Sequence, residues 1–144
     1  MAQRLTQKQA TEIAIQSLQG AKLKITQPRL AILNILIRHH GPFTSDEIHK
    51  EINNYVDKVT VYRCLDTFHE TGIVRRCDFG NGPVRFEYQG AGAMHHHHII
   101  CRKCRKVKNL QRCLVENIEA FLSRSGYTNI THSLEFFGTC SECH

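Results

Sequence analysis

The spacing of apolar residues in the first part of the chain predicts short amphipathic helices. Apolar residues recur every three or four positions from Ala10 to Ala21, with either Ser17 or Leu18 on the inward face. The segment ITQPRLAILNILIRHHG predicts a second helix, capped by Thr26 and followed by Gly41. Its wide apolar face is typical of a central helix.

Two more helices and a hairpin are predicted next. The segment TSDEIHKEINNY opens with a capping box from Thr44 to Glu47 and directs Ile48, Ile52 and Tyr55 inward. The segment DKVTVYRCLDTFHETG has one apolar stripe, and a glycine stands at its end. In IVRRCDFGNGPVRFEY two alternating stretches flank a turn, which predicts two strands. This order of elements is that of a winged helix-turn-helix, with DKVTVYRCLDTF as its recognition helix.

The pattern changes after the small, glycine-rich segment QGAGAM, residues 89–94, which we interpret as a hinge. Strand-like Ile99 and Ile100 are followed by a helix in CLVENIEAFLSRSG and by an alternating stretch, TNITHSLEFFG. The helix is predicted to point Leu114, Ile118, Phe121 and Leu122 inward. A lobe of about fifty residues usually needs a metal ion or a dimer partner for stability.

Composition narrows the class of protein. The chain of 144 residues has no long apolar run and no signal peptide at its start, which excludes a membrane span and favours the cytoplasm. Seven cysteines in a reducing compartment indicate metal ligands or buried thiols rather than disulfides. The net charge of +6 modestly favours an anionic partner, with nucleic acid first.

Two Cys-x-x-Cys pairs are the strongest chemical signal. In Cys101-x-x-Cys104 and Cys140-x-x-Cys143 both sulfurs of a pair can reach one ion, and two pairs complete a tetrahedral site. A site with four protein ligands has no open position, so we expect a structural Zn²⁺ ion that joins the first strand of the lobe to its C-terminal tail.

The run His95 to His98 has a geometric interpretation. In an extended segment side chains alternate, so His95 and His97 project to one side while His96 and His98 project to the other. One strand can thus supply two sites, although a solvated stretch that binds metal adventitiously is the alternative. His132 lies on the apolar face of its predicted strand and favours the ligand interpretation.

An ordered set of motifs then identifies a family resemblance: KITQPRLAIL, TVYR, RFEY, HHHHIICRKC and GTCSEC. Over nearly its whole length the chain resembles the ferric uptake regulator family of dimeric, metal-dependent repressors. The resemblance implies an α+β fold, with a winged helix-turn-helix domain at residues 1–88, a hinge at 89–94 and a small α/β dimerisation domain at 95–144.

The resemblance also implies site residues at matching positions. The four cysteines match a structural zinc site. A second site, within the dimerisation domain, matches His95, His97, Glu116 and His132. A sensing site at the hinge matches Glu87, His96 and His98, and Lys24, Thr60, Tyr62 and Arg63 match residues that meet DNA.

The chain departs from the family pattern at the sensing site. Pro42 stands where many iron-type members have a histidine, so the remaining ligand is expected to be His39, His40 or Cys77. A thiol would favour Zn²⁺ over Fe²⁺. The tail also resembles the zinc-uptake branch, whereas Glu87 is typical of the iron branch.

We therefore expect a homodimeric repressor, not an enzyme, that binds a double-stranded operator and controls zinc or iron uptake genes. Its regulatory ion would be Zn²⁺, Fe²⁺ or Mn²⁺, and binding at the hinge would lock the DNA-binding conformation. The alternatives are a DNA-binding regulator with structural zinc only, a peroxide-sensing member of the same family, and a metallohydrolase. Against the last, the chain has no His-Glu-x-x-His motif.

Overall fold

The protein was analysed as a computed structural model, which describes residues 5–39, 41–53, 55–80, 82–90, 96–110, 112–113 and 115–144. The chain divides into two compact units, Met1–Ala93 and Met94–His144. No helix among the described residues has the length and apolar character that a membrane span requires.

The N-terminal unit consists of four helices and a three-stranded antiparallel sheet. In chain order the elements are α1 (Gln7–Gly20), α2 (Gln27–His39), β1 (Phe43–Thr44), α3 (Ser45–Glu51), α4 (Lys58–Glu70), β2 (Val74–Cys77) and β3 (Arg85–Tyr88). The sheet order is β1-β3-β2. The winged helix-turn-helix prediction is confirmed, and β1 adds an edge strand that the sequence analysis did not predict.

Local capping explains where the helices begin. Thr6 and Gln9 form a reciprocal capping box at the start of α1, and Thr44 and Glu47 form another at α3. The Asp57 carboxylate caps α4 by accepting from the backbone N–H of Thr60 at 2.9 Å. These bonds satisfy amide groups that have no partner within the helix.

One apolar core holds this unit together. Residues of α2 and α4 dominate it, and the largest fully buried side chains include Phe68 from α4 and Phe86 from β3. Tyr55 lies outside this core, because 68% of it is exposed. The prediction that Tyr55 points inward is therefore wrong, since α3 ends at Glu51 and its face does not extend that far.

The C-terminal unit contains β4 (His97–Cys101), β5 (Val107–Leu110), α5 (Glu116–Arg124) and β6 (Glu135–Gly138). The strand order is β5-β4-β6, with β5 antiparallel and β6 parallel to β4. The α/β class is confirmed, but the last strand is shorter than the alternation from Thr128 predicts, and His132 precedes it.

Helix α5 differs from its prediction. No described residue of α5 is buried within the chain, and Ile118 and Phe121 are 57% and 61% exposed. The prediction that these two residues point into the core of their own chain is wrong. Leu114, predicted on the same face, lies outside the described residues. The apolar stripe of α5 therefore lies largely open to solvent among the described residues.

Candidate metal centres and nucleic-acid surface

Strand pairing in the C-terminal unit brings the two cysteine pairs together. Cys101 ends β4 and lies opposite Gly138 of the parallel strand β6, so the two loops that follow these strands are neighbours. The sulfur atoms of Cys101, Cys104, Cys140 and Cys143 all lie within 4.8 Å of one another, and none of them forms a disulfide. The arrangement gathers the predicted structural site.

The distances within this cysteine cluster suit a zinc ion. Tetrahedral coordination with Zn–S bonds of about 2.3 Å separates the sulfur atoms by about 3.8 Å. The Sγ atoms of Cys104 and Cys140 are 3.7 Å apart. Four soft donors at this spacing fit Zn²⁺, which would hold the turn after β4 and the C-terminal tail together.

Within the cysteine cluster, the pKa values of Cys101 and Cys143 are shifted in opposite directions. Backbone N–H groups of Cys104 and Cys140 lower the pKa of Cys101 to about 6, and the Cys140 N–H lies 3.4 Å from the Cys101 sulfur. Hydrogen bonds with Cys140 and Cys104 raise the pKa of Cys143 to about 12. Cys101 therefore offers the first thiolate, whereas a cation has to displace the proton of Cys143.

A second group of ligand atoms lies in the same unit. It contains His97 of β4, Cys113 ahead of α5, and His132 ahead of β6. The Nε2 atoms of the two histidines are 3.3 Å apart, and the Cys113 sulfur lies 3.8 Å from Nε2 of His132. The Nδ1 atom of His132 is hydrogen-bonded to the carboxylate of Glu119 on α5.

This group differs from the set that the resemblance implies. Glu116 is exposed in the first turn of α5 and does not belong to the group that the described residues form. His95 lies outside the described residues. Cys113 and Glu119 were missed by sequence reasoning. Glu119 had a usable signal, because it lies one helical turn after Glu116 on the same face.

The residues expected at the sensing site belong to both units. In the C-terminal unit the rings of His96 and His98 are 5.1 Å apart and nearly perpendicular, as expected for side chains on one side of a strand. In the N-terminal unit Glu87 is 3% exposed, and its carboxylate pairs with Arg75. Burial opposes the charge on Arg75, but Glu87 raises the pKa of Arg75 overall.

The candidate residues for the remaining sensing ligand occupy three places in the N-terminal unit. Cys77 is buried at the end of β2, opposite Arg85 of β3. His39 ends α2, and its ring packs edge-on against Phe43 at 6.4 Å. His40 lies outside the described residues.

The predicted DNA-contacting residues lie on the outer surface of the N-terminal unit. Tyr62 and Arg63 are exposed on α4, and Thr60 is partly buried in its first turn. Lys24 is exposed in the loop before α2. Val59, which the sequence analysis did not single out, is 59% exposed on the same helix. Two large apolar side chains, Val59 and Tyr62, thus face solvent beside a guanidinium group.

Comparison with known proteins agrees with this arrangement. Residues 20–137 match the Ferric uptake regulator family. The peroxide-responsive repressor PerR of Staphylococcus aureus is 33% identical over 136 residues, covering 92% of this chain and 90% of that protein.

Two solved structures share the fold. The Vibrio cholerae ferric uptake regulator superposes with a TM-score of 0.71 at 31% identity, covering 87% of this chain and 98% of that one. The Pseudomonas aeruginosa ferric uptake regulator with manganese gives a TM-score of 0.72 at 25% identity, covering 90% and 98%. The chain belongs to the ferric uptake regulator family and is a metal-responsive, DNA-binding transcription regulator.

Proposed function

We propose that the protein is a homodimeric repressor that binds operator DNA when its sensing site holds a metal ion, and that it controls genes for zinc or iron uptake in the cytoplasm. The observation that carries the proposal is the division of chemistry between the units. The N-terminal unit presents an exposed helix suited to DNA, whereas the C-terminal unit gathers thiol and imidazole ligands.

The proposed sensing ligands are Glu87, His96 and His98, with residues 1–88 as the DNA-binding domain, 89–94 as the hinge and 95–144 as the dimerisation domain. Family membership and the shared direction of His96 and His98 support this assignment. A metal ion that prefers the DNA-binding conformation can shift its population only by the difference in affinity, and about 1–3 kcal/mol is typical.

A homodimer is supported by the apolar surface of the C-terminal unit. Ile118 and Phe121 of α5 are more than half exposed, and Ile99 and Phe137 of the sheet are 36% and 39% exposed. So much exposed apolar surface on a small unit is typical of an interface. A second copy of the chain would supply the partner that α5 lacks, and would present two recognition helices to two half-sites.

Contacts with DNA are assigned to α4 and to the loop before α2. The ring of Tyr62 can pack on a thymine methyl group, and Arg63 can contact a base edge or a phosphate. Thr60 and Lys24 complete the proposed set, with Lys24 reaching the minor groove.

The metals proposed are Zn²⁺ for the cysteine cluster and Zn²⁺, Fe²⁺ or Mn²⁺ for the sensing site. A carboxylate with two imidazoles accepts all three ions, whereas an added thiolate from Cys77 would select Zn²⁺. When bound at the sensing site, the ion supplies only charge and geometry. Glu87, His96 and His98 give up their existing partners, which for Glu87 include Arg75.

Peroxide sensing is the second candidate function, because the S. aureus relative is named a peroxide-responsive repressor. It predicts that hydrogen peroxide abolishes DNA binding by the Fe²⁺-loaded protein and spares the Mn²⁺-loaded protein. A metal-uptake regulator would lose DNA binding on chelation and would respond little to peroxide at the same dose.

The deciding experiment is fluorescence anisotropy with a duplex selected by this protein from a random pool. Protein that retains its cysteine-bound zinc is titrated with buffered Zn²⁺ and, anaerobically, with Fe²⁺ and Mn²⁺. DNA binding that is switched on only by Zn²⁺, at very low free concentration, would identify a zinc-uptake regulator. DNA binding that is switched on by micromolar Fe²⁺ or Mn²⁺ would identify an iron-type repressor.

Variants separate the sensing site from structural zinc alone. Glu87→Ala and His96→Ala should abolish activation by added metal, whereas the exposed control residues Glu12→Ala and His69→Ala should retain it. Unchanged metal-dependent DNA binding in both test variants would refute the sensing-site assignment. DNA affinity that ignores added metal in the parent protein would leave a regulator with structural zinc only.

A further inference from the structure

We propose that Cys113 is a thiolate ligand in a second metal site of the C-terminal unit, together with His97 and His132, and that this site takes a thiophilic cation such as Zn²⁺ in preference to Mn²⁺. The inference deepens the proposed function by giving this site a donor set that the family resemblance does not imply. It concerns only residues of one unit.

Two of the three distances among the ligand atoms are close to those of a tetrahedral site. With metal–nitrogen bonds of about 2.05 Å and a metal–sulfur bond of about 2.3 Å, two nitrogens lie about 3.3–3.4 Å apart and nitrogen and sulfur about 3.6 Å apart. The observed separations are 3.3 Å between the two Nε2 atoms and 3.8 Å from His132 Nε2 to the Cys113 sulfur. All three atoms lie within 4.8 Å of one another.

The hydrogen-bond geometry of His132 suits a ligand. Its Nδ1 atom faces the carboxylate of Glu119, so in a neutral, metal-binding ring this nitrogen would carry the proton. The lone pair then lies on Nε2, which points toward His97 and Cys113. A carboxylate behind the ligating imidazole fixes the tautomer and increases the basicity of the metal-bound nitrogen.

Burial places the site inside the unit while leaving it a route to solvent. His97 is 2% exposed, whereas the His132 side chain is 20% exposed and Cys113 is partly buried. A cation can therefore enter from the side of Cys113 and reach His97. The buried ring of His97 has its Nε2 atom 3.3 Å from Nε2 of His132.

The donor set decides the class of metal. Two neutral imidazoles and one thiolate suit Zn²⁺ or Co²⁺, whereas Mn²⁺ prefers oxygen ligands. Glu116 would have supplied such an oxygen, but it is exposed outside the group. Replacing a carboxylate by the Cys113 thiolate therefore moves the preference of the site toward zinc.

Cobalt reports a thiolate ligand directly, because a Co–S bond gives charge-transfer absorption in the near ultraviolet. The dimeric protein, with its cysteine cluster loaded with Zn²⁺, is titrated anaerobically with Co²⁺ while zinc content is followed by mass spectrometry. We expect a charge-transfer band in the parent protein. The titrations use proteins that also carry Cys77→Ser, so that the sensing site supplies no thiolate. The band should then disappear in Cys113→Ser, with about a 10–100-fold loss of Co²⁺ affinity, and persist in the matched variant Cys64→Ser.

Cys64 is a suitable control because it is a buried thiol of α4, and burial raises its pKa. An undiminished band in Cys113→Ser, or Co²⁺ binding by the parent protein without a band, would overturn the proposal. If Cys113→Ser does not fold, alkylation of the parent protein decides instead. Added Zn²⁺ should then protect Cys113, and reaction at an unchanged rate would overturn the inference.

The outcome is independent of the proposed regulatory function. A band that depends on Cys113, in a protein whose DNA affinity ignores metal, would support this site and refute the sensing model. Metal-dependent DNA binding without such a band would support the sensing model and refute this site.

Discussion

On the proposal that the cysteine cluster holds Zn²⁺, removing this ion should unfold the C-terminal unit while the N-terminal unit remains folded. The perturbation is either a strong chelator or the substitution Cys140→Ser, which removes one of the four sulfur ligands. The two units differ in the size of the apolar core that could keep them folded after the metal ion is lost. The N-terminal core contains most of the buried apolar side chains of the described chain, including every fully buried phenylalanine.

The size of the expected effect follows from how few apolar side chains the C-terminal unit buries. Among its described residues only Ile100 is a fully buried aliphatic side chain, and the other buried residues are Cys101, His97 and His98. Burying one isoleucine contributes about 1.5–3 kcal/mol. A structural zinc ion contributes about 10–16 kcal/mol, as much as the total stability of a typical domain, which is about 5–15 kcal/mol. Without zinc the unit should be predominantly unfolded at micromolar protein concentration.

Hydrogen–deuterium exchange on the full chain measures this with an internal control. After chelation, peptides that cover β4 and β6 should exchange at nearly the rate of an unfolded chain, while peptides from α2 and α4 keep their protection. Restored zinc should restore protection. Retained protection of β4 and β6, in protein shown by elemental analysis to be zinc-free, would refute the reasoning and would mean that packing or dimerisation alone suffices.

Three further predictions concern the N-terminal unit. Phe68→Ala should lower the free energy of unfolding, measured by urea denaturation, by about 3–5 kcal/mol, because Phe68 is fully buried. Tyr55→Ala should change it by less than about 0.5 kcal/mol, because Tyr55 is exposed. Equal effects of the two variants would contradict this difference in burial. Arg63→Ala should reduce the salt dependence of DNA binding by about one unit of slope if the guanidinium meets a phosphate. Hydrogen bonds from Thr60 lower the pKa of Asp57. The ionised carboxylate therefore stabilises the fold fully at pH values above its ordinary pKa of 3.8, and this contribution is lost as the pH falls through the lowered pKa. The melting temperature of the parent protein should therefore exceed that of Asp57→Asn at pH 7, and a difference that does not shrink at pH 2–3 would be inconsistent with this.

The elements of the N-terminal unit were predictable because each one is specified locally. The capping box at Thr44 and Glu47 marks the start of α3 in the sequence as it does in the structure. Gly72, with φ of +77°, ends α4 in the left-handed conformation that its position predicts. The strand β1 was not predictable, because a two-residue strand has no periodicity and depends on pairing with β3.

The C-terminal unit was less predictable from apolar spacing. The stripe of α5 predicts an inward face, but sequence periodicity does not say which surface covers that face. Ile118 and Phe121 are more than half exposed in the structure. On the proposed function, a second copy of the chain would cover them. The cysteine cluster was predictable from spacing alone, since two Cys-x-x-Cys pairs together supply the four ligands of a tetrahedral site.

The histidines show which site residues the alternation of side chains along a strand can predict and which it cannot. Alternation put His97 on the opposite side of the strand from His96 and His98, and the ring contacts of His97 with His132 and of His96 with His98 agree with that division. It could not find Cys113, because that thiol approaches through the loop before α5, and loop paths have no period. Glu119 replaced Glu116 for a related reason. Three residues separate two carboxylates by about 4.5 Å along the helix axis, and only the docking of α5 decides which of the two reaches His132.

On the proposed function, one small unit depends on metal for its fold and responds to metal through other ligands, so the two kinds of site must differ in affinity. Four thiolates around Zn²⁺ form a closed site whose loss should unfold the unit, and it cannot exchange its ion in order to report concentration. A sensing site must instead release its ion within the range that the cell controls. Carboxylate and imidazole ligands bind less tightly than thiolates, and the Arg75–Glu87 pair lowers affinity further by competing for the carboxylate. A thiolate from Cys113 would place the second site of the C-terminal unit between these extremes, because its mixed donors bind zinc more firmly than a carboxylate site and less firmly than four cysteines. If the sensing site holds no thiolate from Cys77, the three donor sets are therefore expected to fill in order of their thiolate content as free zinc rises.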